Sequence, residues 1–260
     1  MAADQSAEYT FSPVGISSPI LFWLIGCWLT VLPFHLPAQK AGPEIMAELE
    51  HMISESYGPD QELINGIEYF NLHIHSSGHK FLDEDKYYEG WVAIDNKLYN
   101  HVLLKYNLFN QQVLLLIDHP QGGNKQIILN NLRINGFMIN GRVFRKYSFP
   151  GYPTRFYQVI GDDGMACLYH FRKQEIPRAT DQNNLSEFTE VDKKSYLHWR
   201  SELHAFKGNR SFVRIFHDHQ GQITSMIRQN KLKVRKLSDT QMHWLINFCH
   251  SLTENPVEDQ

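Results

Sequence analysis

A series of short runs rich in aromatic and β-branched residues crosses the middle of the chain and limits the folds that it can adopt. Turn sequences, such as Asn140-Gly141 and the Gly-Asp-Asp-Gly at 161–164, separate the runs, which is typical of antiparallel strands joined by tight turns. The predicted strands cover residues 91–94, 98–104, 105–109, 112–117, 126–134, 137–146, 154–160 and 166–172. Such a succession predicts a sheet that curls or doubles over.

Further elements are predicted on both sides of this region. Alternation over 67–74 predicts a strand, and 195–206 predicts another hairpin. Ser238 and Gln241 have the spacing of a capping box, which begins a helix. Helices are predicted at 44–56, 210–217, 220–229 and from Ser238 onward. The predicted fold class is therefore α+β, a largely antiparallel β-sheet (curled or sandwich-like) with an N-terminal helix and C-terminal helices.

The chain divides into three predicted segments. Residues 1–38 form a signal peptide or membrane anchor, and residues 39–192 form a β-rich region with a leading helix. Residues 193–260 supply a hairpin and the helical C-terminal region, which we expect to pack on the same core. The polar stretch 174–192 is predicted to be a loop or linker between the last two segments.

The N-terminal segment has the pattern of a secretory signal peptide. Residues 16–37 contain no Asp, Glu, Lys or Arg, and the chain turns polar after Pro37-Ala38. Cleavage after Ala38 would make Gln39 the first mature residue. The residues before the apolar run contain no Lys or Arg, which departs from the usual positive start and is consistent with translation from Val14. This pattern predicts a periplasmic or cell-envelope location.

Two alternatives remain open for the same segment. The apolar run approaches the ~20 residues that span a bilayer, so it predicts an uncleaved anchor in the cytoplasmic membrane. Membrane contact would then be made only through this segment. Residues 24–27, Leu-Ile-Gly-Cys, have the form of a lipobox, which would place a lipid on Cys27.

Charge and cysteine content exclude some classes of function. The chain has 25 basic and 28 acidic residues, and no Lys/Arg stripe long enough to follow a phosphate backbone is evident, so nucleic acid is not an expected partner. Residues 231–236 hold four cations. They are predicted to form a solvated connector whose Leu232 and Val234 lie under the helices, with a binding patch as the alternative. Cys167 and Cys249 have apolar neighbours and are predicted to be buried free thiols, although pairing in an oxidising compartment stays open.

Several motifs carry a resemblance to a known family. Residues 57–66, 90–116 (GWVAIDNKLYNHVLLKYNLFNQQVLLL), 156–159, 168–173, 210–212 and 231–239 resemble a family of uncharacterised exported proteins of Bacteroidota. The resemblance spans most of the predicted mature chain. It implies an exported, β-rich envelope protein, and it supplies no catalytic or binding residues because the family has no established activity.

Histidine supplies the candidate metal site. His73 and His75 are separated by one residue on a predicted strand, so they would point to the same face, and His79 follows in a turn. Three imidazoles with a carboxylate such as Asp83 or Glu84 are a ligand set for zinc with an open position. The alternative is that these are exposed or hydrogen-bonded strand histidines.

No catalytic signature accompanies these histidines. The sequence contains no HExxH, paired CxxC, GxSxG elbow, P-loop or GxGxxG. We therefore expect a non-enzymatic protein without a cofactor that binds an envelope protein, a peptide or a lipid-like ligand through an edge or face of its sheet. The alternative function is a metal-dependent hydrolase centred on His73, His75 and His79.

Overall fold

An antiparallel β-sheet of 11 strands forms the body of the structure. The computed structural model describes residues 60–73, 75–95, 97–118, 123–178 and 186–254. The strands of the described residues are β1 (Ile67–Glu68), β2 (Ser76–Ser77), β3 (Tyr88–Ile94), β4 (Lys97–Asn107), β5 (Gln112–Asp118), β6 (Asn124–Ile128), β7 (Ile134–Ile139), β8 (Arg142–Tyr147), β9 (Arg155–Asp162), β10 (Met165–Arg172), β11 (Glu175–Pro177), β12 (Ser186–Phe188), β13 (Asp192–Trp199) and β14 (Glu202–Phe206).

The strand order of the large sheet follows the chain in two meanders. The order is β1-β6-β5-β4-β3-β7-β8-β9-β10-β13-β14, and the antiparallel pairing of β3 with β7 joins the two meanders. Tight turns hold the hairpins: Asn140 and Gly141 have φ values of 48° and 71°, the left-handed geometry that a two-residue turn between twisted strands requires. The predicted α+β class with a largely antiparallel sheet is confirmed.

A smaller sheet corrects two of the predicted elements. Its three strands lie in the order β11-β12-β2, with β12 parallel to β2, so residues 174–192 are not simply a loop. The strand predicted over 67–74 ends at Glu68. The backbone N–H of His73 donates to the Asn71 side chain at 3.2 Å, and such a local bond competes with strand pairing.

The helices follow the predicted pattern at the C-terminal end, except that the helix predicted over 210–217 ends at Val213. They are α1 (Gln61–Ile64), α2 (Asn209–Val213), α3 (Gln220–Gln229) and α4 (Asp239–Glu254). Ser238 and Gln241 form the predicted capping box, since the Gln241 N–H donates to Ser238 Oγ at 3.2 Å and the Ser238 N–H donates to Gln241 Oε1 at 3.0 Å. Helix α4 packs on β9 and β10.

The core lies on both faces of the sheet around β10. Cys167 and Tyr169 belong to the larger cluster, which also contains Leu245 of α4. Their neighbour Leu168 points to the opposite face, where it packs with Tyr157 in a second cluster. All residues of β10 except Arg172 are therefore buried.

The sheet bends so that β10 meets the turn between β4 and β5. Gln111 Nε2 donates to the carbonyl of Leu108 at 2.8 Å and to that of Phe171 at 3.0 Å. The Tyr106 hydroxyl donates to Gln111 Oε1 at 2.8 Å, which fixes the amide. Four strands separate β4 from β10 in the sheet order, so these bonds join distant parts of the sheet.

The N-terminal predictions lie outside the described residues. They are the apolar run 16–37, the lipobox cysteine Cys27, the cleavage site at Ala38 and Gln39, and the helix at 44–56. Within the residues that the structure describes, no helix has the length and apolar character needed to cross a bilayer.

Candidate functional site

The predicted zinc ligands make separate contacts. His73 Nδ1 lies 2.9 Å from Glu175 Oε2, and the ring packs edge-on against Phe109 and Phe188. His79 Nδ1 accepts the N–H of Phe81 at 3.3 Å, whereas the side chain of His75 is exposed. The described part of the chain contains no group of three His, Cys, Asp or Glu side chains that could hold a metal ion. Zinc binding at these histidines stays a prediction.

Glu175 is the centre of the contacts that His73 makes. The hydroxyl groups of Ser76 and Ser186 each donate to Glu175 Oε1 at 2.5 Å, and the two hydroxyl oxygens are 2.8 Å apart. These hydrogen bonds, with a smaller contribution from His73, lower the pKa of the Glu175 carboxyl to about 2. We call His73, Ser76, Glu175 and Ser186 the Glu175 cluster.

The geometry of the Glu175 cluster does not match that of an activated nucleophile. An activated serine donates its proton to a base whose pKa lies near the working pH. Here the acceptor of both hydroxyl groups is a carboxylate with a pKa of about 2, which is a weak base. The cluster instead links three strands by side-chain hydrogen bonds, because Ser76 lies on β2, Glu175 on β11 and Ser186 on β12.

Buried lysines anchor residues 71–85 beside this cluster. Lys105 Nζ contacts Asp85 Oδ1 at 2.6 Å, Lys80 Nζ donates to Asn71 Oδ1 at 3.1 Å, and Lys173 Nζ donates to the carbonyl of His79 at 2.7 Å. Burial lowers the pKa of Lys80 and of Lys173. Their charges are partly balanced by nearby carboxylates, since Glu175 acts on Lys80 and Glu190 on Lys173. We interpret these lysines as structural.

Both cysteines of the described region are free and buried, as predicted. Burial raises the pKa of Cys167 and of Cys249 to about 12. The thiolate is the reactive form of cysteine, so these residues are poor nucleophiles in the folded chain.

A groove runs along the edge of the sheet at β14. It has a volume of about 640 Å³ and is lined by residues of β14, of the β13–β14 turn and of the following helical segment. Leu203, His204 and Ala205 all line it, and successive strand residues point to opposite faces, so the groove follows the edge of the strand. Trp199, Arg200, His204, Arg214, Ile215 and His217 supply the larger side chains of this edge groove.

The backbone of β14 is unpaired on the groove side. Among the described residues, β14 pairs only with β13, so it is an edge strand. Arg200 and Ser201 have φ values of 53° and 63°, which is the geometry of a two-residue type I′ turn. In such a hairpin the pairs closest to the turn alternate between hydrogen-bonded and non-bonded, beginning with the bonded pair Trp199 and Glu202. The N–H and C=O groups of Leu203 and Ala205 therefore point away from β13.

The edge groove carries an excess of positive charge. Arg200 and Arg214 line it with His204 and His217, and the lining carboxylate is Glu202, which lies 3.5 Å from His204. The Arg200 guanidinium lies 4.3 Å from the centre of the Trp199 ring, which holds it at the groove by a cation–π contact. This arrangement is suited to an extended segment that carries carboxylates.

Comparisons with protein-family models, with curated proteins and with solved structures find no match for this chain. Any function therefore has to be inferred from the geometry of the described residues.

The sequence predicted the hairpin but not the edge groove. The hairpin predicted over 195–206 corresponds to β13 and β14. The position of β14 at the edge of the sheet could not be predicted, because it depends on the order of all the strands. One signal in the sequence was the charge of this region, because residues 200–236 contain nine Lys or Arg and two Asp or Glu.

Proposed function

We propose that this chain is an exported protein of the cell envelope that binds an extended segment of a partner protein along the edge of β14. The observation that carries the proposal is the unpaired edge of β14 beside a groove of about 640 Å³. A bound segment would form backbone hydrogen bonds with Leu203 and Ala205, which is the mode of recognition called β-augmentation.

Side chains of the edge groove supply selectivity. Alternate side chains of an added strand point to the two sides of its backbone, so one set faces Arg200 and Arg214. Carboxylates at those positions complement the two guanidinium groups, which form strong charge-assisted hydrogen bonds with carboxylates. The expected partner segment is therefore extended and acidic.

Export is part of the same proposal. The apolar run 16–37 and the Ala38-Gln39 junction support cleavage by a signal peptidase, and the resemblance to exported Bacteroidota proteins supports an envelope location. Mass spectrometry of the chain purified from the envelope and cytosolic fractions tests this. A mature N-terminus at Gln39 supports export, whereas an intact chain recovered from the cytosol contradicts it.

Photo-crosslinking in intact cells tests the binding mode. A photoreactive amino acid at position 217, in the edge groove, is expected to capture a partner protein, whereas one at Ser225 on the exposed side of α3 is not. Ala205→Pro removes the outward N–H without breaking the β13 ladder and should abolish capture. Ala205→Val keeps the N–H and serves as the matched control. Equal capture by both variants would rule out recognition through the strand edge.

A further inference from the structure

The positive charge of the chain is concentrated in one region. Residues 200–236 contain nine Lys or Arg and two Asp or Glu, which leaves 16 basic and 26 acidic residues for the rest, from totals of 25 and 28. All nine cationic side chains are exposed. None of them forms a salt bridge with another residue that the structure describes. A region of strongly unbalanced charge is therefore free to meet an anionic partner.

Six of these cations come from two segments that Asn209 holds together. Asn209 Nδ2 donates to the carbonyl of Leu232 at 2.9 Å, and the N–H of Val234 donates to Asn209 Oδ1 at 2.8 Å. These bonds fasten residues 231–236 against the start of α2. We define the basic patch as Lys207, Arg210, Lys231, Lys233, Arg235 and Lys236.

The backbone under the basic patch is fixed by packing. Val234 is buried and Leu232 is half-buried against the core, so both apolar residues of the predicted connector face inward. The cationic residues between and around them are consequently directed to solvent. The connector interpretation accounts for the two apolar residues, but it gives no role to the unpaired charges.

We propose that the basic patch docks on the surface of a bilayer that contains anionic phospholipids. Each Lys or Arg close to such a surface contributes about 1 kcal/mol of electrostatic attraction, and clusters of 4–8 are typical of lipid-binding segments. The six cations of the basic patch fall in that range. Outside residues 200–236 the chain has ten more acidic than basic residues, so a flat anionic surface would attract this face and repel the others.

A bilayer fits the chain better than a nucleic acid does. The apolar run 16–37 has the composition of a segment that enters or crosses a membrane, so the chain is placed beside lipid headgroups during export or afterwards. This step rests on the envelope location proposed above. It does not depend on peptide binding at β14, because the basic patch and the edge groove use different residues.

Vesicle sedimentation with the full chain tests the proposal. Vesicles of phosphatidylcholine are compared with vesicles that contain about 30% phosphatidylglycerol, at low and at physiological ionic strength. The apolar run would bind both kinds of vesicle, so the quantity of interest is the salt-sensitive excess on anionic vesicles. We expect at least a ~10-fold stronger partitioning to the anionic vesicles at low salt.

Charge-reversal variants assign that excess to the basic patch. Lys231→Glu, Lys233→Glu and Arg235→Glu together should remove the excess on anionic vesicles. The control is Lys125→Glu, Arg145→Glu and Lys194→Glu, which makes the same charge change at exposed positions outside the patch and should retain most of the excess. Thermal unfolding followed by circular dichroism verifies that both triple variants are folded.

Two results would overturn the proposal. One is that both triple variants lose the excess binding to anionic vesicles equally. That result would mean that the net charge of the chain, and not the basic patch, attracts it to the vesicles. The other is tight binding of a fluorescent DNA or RNA duplex at an ionic strength where anionic vesicles are not bound, which would assign the patch to nucleic acid. Neither result affects photo-crosslinking of a partner protein at position 217, which tests the edge groove independently. Failure of the bilayer proposal can therefore be distinguished from failure of the proposed function.

Discussion

At the scale of the residue, Glu175 shows how one side chain can join three short strands. Strands of two or three residues have few backbone hydrogen bonds, so their pairing needs support from side chains. The Glu175 carboxylate provides this support by accepting hydrogen bonds from Ser76 on β2 and from Ser186 on β12. The depressed pKa of Glu175 is the electrostatic consequence of those bonds.

Glu175→Gln should lower stability and make it less dependent on pH in the acidic range. The Glu175 pKa is about 2 in the folded chain against an ordinary value of 4.5, so its stabilisation is complete above pH 4.5 and is lost as pH falls towards 2. The expected loss for the variant near neutral pH is about 1–3 kcal/mol in the free energy of unfolding. Urea unfolding at a series of pH values measures it.

Glu84→Gln is the matched control for this titration. Glu84 is an exposed carboxylate paired with the exposed Lys86, and surface pairs of this kind contribute about 0–1 kcal/mol. If Glu175→Gln keeps the same acid dependence as the wild-type chain, the serine bonds do not stabilise the carboxylate.

Cys167 and Cys249 should resist alkylation in the folded chain. Burial raises both thiol pKa values to about 12, so the thiolate is scarce at neutral pH and the reagent has no access. Iodoacetamide labelling followed by peptide mass spectrometry should find both residues unmodified until denaturant is added. Rapid labelling of either residue without denaturant would show that the α4–β10 interface opens.

At the scale of the element, close backbone contacts decide which strands can be neighbours. β3 and β7 approach so closely at Gly90 that a Cβ there would overlap the carbonyl oxygen of Met138. This pairing joins the two meanders, so a larger residue at this position would strain the junction between them.

Gly90→Ala is expected to destabilise the chain by at least about 2 kcal/mol, because the added methyl group forces β3 and β7 apart. Gly221→Ala on α3 provides the opposite case, since no atom beyond its own stretch of helix lies within 4 Å of the place its methyl group would take, and alanine favours a helix by up to about 1 kcal/mol. Thermal unfolding of both variants measures the two effects. A stable Gly90→Ala chain would contradict the close approach of these strands.

At the scale of the whole molecule, the bend of the sheet depends on a few contacts between distant strands. Gln111 receives a hydrogen bond from Tyr106 and donates to two carbonyl groups, one of them at the end of β10. Gln111 is half-buried, and removing an amide that satisfies several polar groups leaves each of them without that partner.

Gln111→Ala should therefore cost about 2–4 kcal/mol in the free energy of unfolding, since it leaves the hydroxyl of buried Tyr106 and the carbonyl of Phe171 without that partner. Gln229→Ala, which removes an exposed side chain bonded to Ser225, is the control and should change stability by less than about 0.5 kcal/mol. Hydrogen exchange should also show faster exchange near Phe171 in Gln111→Ala. Unchanged exchange there would mean that other contacts hold the bend.

Elements whose signals are local could be predicted from the amino-acid sequence alone. Turn pairs such as Asn140-Gly141 fix hairpins, and Ser238 with Gln241 begins α4, because their hydrogen bonds involve residues close in the chain. The run of β-forming residues over 166–172 also determined that β10 would be a strand, and Cys167 and Cys249 were correctly expected to be buried.

Contacts between residues far apart in the chain could not be predicted in this way, because they form only when the sheet and helices pack together. His73 pairs with Glu175 across about a hundred residues, so the spacing of nearby histidines gave no indication of that partner. The edge groove exists because β14 is the last strand in the order, and the basic patch exists because Asn209 joins two separated segments. Such contacts depend on the packing of the whole sheet and its helices, which local sequence patterns do not encode.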